Sequence, residues 1–127
     1  MTSSHRFEDL EIWQEGRVLV REVREICKRA QVRRDFAFID QITRAARSIT
    51  YNIAEGAEAH TNPEFIQFLG YAKRSAGEVR AQFYDAFDEE YIDQQTFRRL
   101  MVQVEKLGRM IGAFIRYLSA HPTSRTL

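Results

Sequence analysis

Very little in these 127 residues punctuates or cross-links the chain. The one cysteine, Cys27, cannot close an internal disulfide, and the Cys/His spacings that hold zinc or haem are missing. Proline occurs only at Pro63 and Pro122 and glycine six times, which leaves room for long uninterrupted helices. No run approaches the roughly 18 consecutive apolar residues of a membrane span. Arg6, Glu8, Asp9 and Glu11 break up any apolar stretch near the N-terminus, so nothing there reads as a signal peptide and the cytoplasm is the expected compartment. Neither sign of charge dominates: 19 Lys and Arg against 18 Asp and Glu leave +1, without the basic excess that by itself marks a nucleic-acid binder.

The sequence does hold a globular balance, 44% apolar and 29% charged, enough for one packed domain over residues 1–127. Its apolar residues recur with a helical period. Ile12, Leu19 and Ile26 repeat every seven residues, as do Trp13, Val20, Cys27 and Gly16, Val23, Ala30, predicting a helix over about 9–30. Ile39, Ile42, Ala46, Ile49, Ile53 and Gly56 predict a second over about 35–57, with Asp35 as its N-cap. Asn62-Pro63 reads as a cap and first-turn proline, opening a third over about 63–88 that carries Leu69, Ala72, Ala76, Val79, Phe83 and Ala86. Asp93 caps a fourth over about 93–119, striped by Phe97, Leu100, Val104, Leu107, Ile111, Phe114 and Leu118. Residues 120–127 read as a loose tail. Four amphipathic helices with short connections predict an all-α, up-down-up-down antiparallel four-helix bundle.

Catalytic and metal-binding patterns are scarce. The Glu-x-x-His pairs of di-iron bundles do not occur; His5 and His121 fall near the ends, His60 in a turn, and Cys27 on an apolar face. No phosphate loop or nucleophile elbow is present, so no enzyme activity, metal or cofactor is expected. Polar residues near the core are assigned a structural role. Reversal near residues 59–60 sets Arg44 beside Ser75 and Glu78, and reversal near residue 32 sets Trp13 beside Asn52, whose amide oxygen is a partner for the indole N–H. Arg44 or Arg47 is expected to bond Glu78 or Glu55, with Asn52 helping to fix register. The charge is unevenly spread: residues 51–100 hold 5 basic and 9 acidic side chains, and residues 101–127 hold 4 and 1. The densest cationic cluster is Lys28, Arg29, Arg33 and Arg34 around the first turn, a candidate nucleic-acid contact.

More apolar side chains are present than one face per helix requires. Met101, Met110, Ile115 and Tyr117 flank the fourth stripe and are expected to be covered by a neighbouring subunit, the alternative being that wide stripes make a broader core within one chain.

In the second helix the run Gln41-Ile42-Thr43-Arg44-Ala45-Ala46-Arg47-Ser48-Ile49-Thr50-Tyr51-Asn52-Ile53-Ala54-Glu55-Gly56 resembles the signature of the four-helix-bundle family also called 23S rRNA intervening-sequence proteins. Agreement continues at Glu64, Phe68-Leu69, Ser75, Glu78 and Tyr91-Ile92, and begins at Phe7-Glu8-Asp9-Leu10 and Trp13. Thr43, Thr50 and the stretch 70–74 depart from the pattern; Thr50 stands where proline is usual, which predicts a straighter second helix. The resemblance implies an antiparallel bundle assembled as a ring of five, and the family takes its name from genomic position, not from an activity. A more distant likeness is to the accessory variability protein of diversity-generating retroelements, a pentameric bundle that works with nucleic acid through a strongly basic surface. The function expected is a non-catalytic, homo-oligomeric interaction or scaffold protein. The alternative is an RNA-binding accessory factor using an Arg-rich rim, and the partners in view are the chain itself, RNA or another protein, with no membrane.

Overall fold

Side chains that satisfy orphan N–H groups set the starts of three helices, while the first follows a 3-10 turn with no side-chain cap at Leu10. In the computed structural model, which describes residues 6–122, a 3-10 turn (Phe7–Asp9) precedes α1 (Glu11–Cys27), α2 (Phe36–Glu58), α3 (Asn62–Asp88) and α4 (Gln94–Ala120). Asp35 caps α2 by accepting from Phe38 N at 3.2 Å, and Asp93 caps α4 by accepting from Thr96 N at 2.8 Å. That bond holds the Asp93 carboxyl below its usual range. At α3 the cap is Thr61, not Asn62. Its hydroxyl accepts from Glu64 N and donates to Glu64 Oε1, both at 3.2 Å.

Helix α1 is shorter than its stripe suggested. It begins after the 3-10 turn and ends at Cys27, because Ala30 is exposed and the chain turns to bury Val32 in the end of the core. Helix α4 runs through Ala120, one residue into the expected tail; residues 123–127 and His5 lie outside the described residues. Helix α3 ends with Tyr91 N–H on Ala86 O (2.8 Å) and Glu90 N–H on Phe87 O (3.0 Å), a Schellman closure that puts Glu90 at φ 61°.

Each helix packs on the next, and α4 returns to α1, closing the antiparallel four-helix bundle. Among the described residues there is no strand. Ile42, Ala46, Ile49 and Ile53 of α2 are completely buried, and the whole expected α3 stripe is buried with Phe65. On α4 Leu100, Val104, Leu107, Ile111 and Leu118 are buried, while Phe97 and Phe114 are half-buried. Gly56 allows the closest approach of α2 and α3: a Cβ there would stand 2.6 Å from Phe65 Cδ1. Thr50 is buried with its hydroxyl on Arg47 O (3.0 Å), and α2 continues unbroken past it. No described helix is long and apolar enough to cross a membrane.

Candidate functional site

The α2–α3 seam holds a polar link, made by serines and not by the expected Arg–Glu pair. Ser75 Oγ donates to Ser48 Oγ at 2.9 Å, while Asn52 Nδ2 donates to Ser48 O at 2.8 Å and lies 3.0 Å from Ser48 Oγ. Asn52 thus bonds within α2, one turn back, and the link that crosses the seam is Ser75–Ser48. Arg44 is exposed and pairs at 2.7 Å with Asp40, one turn back on α2. Glu78 and Glu55 are exposed, and Arg47 is half-buried with its carbonyl taken by Thr50. The chain reverses a residue or two later than expected, so the inward side chain opposite Ser75 is the small Ser48. Trp13 is only half-buried and meets the edge of Phe7 (5.1 Å) and the guanidinium of Arg17 (5.6 Å), with Asn52 engaged elsewhere.

The first-turn cations are all exposed, but two have local tasks. Lys28 pairs with Glu25 at 3.2 Å, and Arg29 donates to Tyr91 O at 2.8 Å, tying the first turn to the third. Glu90 and Asp93 line the same cleft as Arg29, so the cluster sits among opposite charges. Arg33 and Arg34 remain on the surface.

The four candidate interface residues separate. Met101 is buried in this chain's own core and is unavailable to a neighbour; the α4 stripe is wider than one residue per turn. Ile115 is half-buried against that core, and two residues from Tyr117 it lies on another side of the helix. Met110 and Tyr117 share an edge. Met110, Ala113 and Phe114 line a cleft of ≈ 480 Å³ with Leu10, Ile12 and the acids Asp9 and Glu11, where α1 and α4 pack more loosely than the other neighbouring pairs. Tyr117, half exposed, stacks on Phe114 at 6.2 Å and on His121 at 4.2 Å, extending an apolar and aromatic ladder along α4.

One surface escaped the sequence reading. A groove of ≈ 690 Å³ between α3 and α4 has Ala76, Gly77, Val104, Gly108 and Gly112 along it, and Lys73, Arg80, Arg109 and Arg116 among its charged side chains. Its one carboxylate, Glu105, already pairs with Arg80 at 3.0 Å. The signal was present as the seven-residue spacings 73/80 and 109/116 beside surface glycines.

Burial pushes the Cys27 thiol up, and its sulfur lies 3.9 Å from Thr43 Oγ1. Among the described residues no three His, Cys, Asp or Glu side chains gather closely enough to hold a metal ion. What the geometry defines is an antiparallel four-helix-bundle protein with a polar α2–α3 seam and two open grooves flanking α4. The model of the 23S rRNA-intervening sequence protein family matches residues 8–113, and the chain belongs to that family. No curated protein matches the chain.

Proposed function

We propose that this protein is a non-catalytic, homo-oligomeric interaction or scaffold protein, with the ring of five implied by the family resemblance as its assembly. The observation that carries the reading is the Met110–Phe114–Tyr117 edge of α4. The bundle alone leaves Tyr117 half-exposed beside an open cleft whose apolar part is Leu10, Ile12, Met110 and Phe114 and whose acids are Asp9 and Glu11, whereas a neighbouring subunit would cover Leu10, Met110 and Tyr117 together. Replacing Tyr117 with Glu tests this. The sedimenting mass should fall toward that of one chain while the far-UV helical signal stays near wild type, since Tyr117 lies outside the core. An unchanged oligomer with Tyr117→Glu would contradict the assignment of this edge. A nucleic-acid role through Lys28, Arg29, Arg33 and Arg34 has less support, because Glu25 pairs with Lys28 and Arg29 braces the third turn.

A further inference from the structure

We infer that the groove between α3 and α4 binds the phosphate backbone of a single-stranded nucleic acid, independently of self-assembly and of the first-turn arginines. The charge is the first reason. Among the described residues no carboxylate lies within ion-pair distance of Lys73, Arg109 or Arg116, and the groove's one acid is engaged with Arg80. Like charges are brought together there, since a Cβ on Gly112 would stand 3.3 Å from Lys73 Cε and 3.6 Å from Arg116 Nη1. Two cations converging over one glycine repel each other unless an anion joins them.

Access is the second reason. Nothing stands within 4 Å of a Cβ placed on Gly77 or Gly108. Packing inside the chain therefore does not require glycine at either position, although each costs a helix about 1 kcal/mol relative to Ala. The open floor lets a backbone approach the helices closely. Residues 73 and 80 on α3, and 109 and 116 on α4, are each two turns apart, about 10.5 Å. A cleft between neighbouring helices, whose axes lie about 8–10 Å apart, suits one strand better than a duplex. Tyr84 continues the 73, 77, 80 face one turn on and is 48% exposed, with Phe97 against its ring at 5.1 Å, offering a base a stacking surface beside the cations. A stacking ring directly beside a row of cations is the pairing that single-stranded nucleic acid uses.

The probe is a fluorescein-labelled RNA of about 12 nucleotides, with a DNA of the same sequence, followed by anisotropy from about 50 to 200 mM salt. Wild type should bind both at micromolar protein. Lys73→Ala with Arg116→Ala should weaken binding about tenfold or more and reduce the slope of log affinity against log salt by about 1.4, at about 0.7 per phosphate on a single strand. Lys73→Arg should retain binding. Gly77→Leu should block the groove and weaken binding while the melting temperature holds or rises. Arg33→Ala with Arg34→Ala should change affinity less than about twofold. No binding by wild type, equal loss in the Arg33/Arg34 variant, or a Lys73/Arg116 variant that changes sedimenting mass but not RNA affinity would each overturn the inference, the last by giving the groove to a second copy.

Discussion

Tyr91, in the turn between α3 and α4, donates its hydroxyl at 2.6 Å to Oδ2 of Asp35, whose Oδ1 caps α2. The ring also meets Phe38 edge-on at 5.3 Å, and the Tyr91 carbonyl accepts from Arg29. One residue thus fastens the first and third turns at the same end of the bundle. The bond to the Asp35 carboxylate, aided by desolvation, pushes the Tyr91 hydroxyl up from about 10 to about 12. A raised folded-state value means that the contact stabilises the fold fully below about pH 10 and is lost as pH rises through about 12. Urea midpoints of wild type and Tyr91→Phe, measured from pH 8 upward, should differ by a constant amount to about pH 10 and converge above it. A gap that stays constant above about pH 10 would contradict the raised hydroxyl value, and no gap at any pH would show that the hydroxyl contributes nothing.

Glu90 takes the left-handed position that closes α3, where glycine has no Cβ penalty. Glu90→Gly should raise the unfolding free energy by about 1 kcal/mol, less the entropy that glycine adds to the unfolded chain. Chemical denaturation of the two proteins decides it, and a loss of stability would deny the strain.

Two core substitutions probe the α2 face from opposite directions. Ile49 is completely buried, so Ile49→Ala should cost roughly 2–5 kcal/mol. Gly56→Ala would drive a methyl to 2.6 Å from the Phe65 ring, itself completely buried, and should cost about 1–3 kcal/mol. Equilibrium unfolding reads both. A wild-type midpoint for either would mean that α2 does not face the core as described.

The seam and the surface pair are expected to differ. Arg44→Ala removes only an exposed i,i+4 pair with Asp40 and should change stability by less than about 0.5 kcal/mol. Ser75→Ala leaves the half-buried Ser48 hydroxyl without its cross-helix partner and should cost about 1 kcal/mol. If Arg44 proved the more costly, the serine link would not be what fixes register.

Much of this architecture was legible because period and caps act locally. Ile42, Ala46, Ile49 and Ile53 announce one face of a helix whatever lies opposite, and Asp35 and Asp93 mark starts that need only their own next turn. Pairing between helices was less legible. A displacement of one or two residues in the α2–α3 reversal replaces Arg44 with Ser48 opposite Ser75, and no local pattern fixes that register. Surplus apolar residues were ambiguous for the same reason: Met101 and Met110 look alike in sequence, and only the packed bundle buries the first and leaves the second at a cleft. The basic α3–α4 groove draws its cations from two helices, with Arg80 and Arg109 29 residues apart, so none of its parts stands out as a cluster along the chain.

Self-association is tested most directly by the sedimentation-equilibrium mass of the wild-type protein at tens of micromolar, where a standard-sized specific interface should already be occupied. The expected result is a whole-number multiple of the 14.9 kDa chain, fivefold for the proposed ring. A mass of 14.9 kDa at that concentration would contradict it.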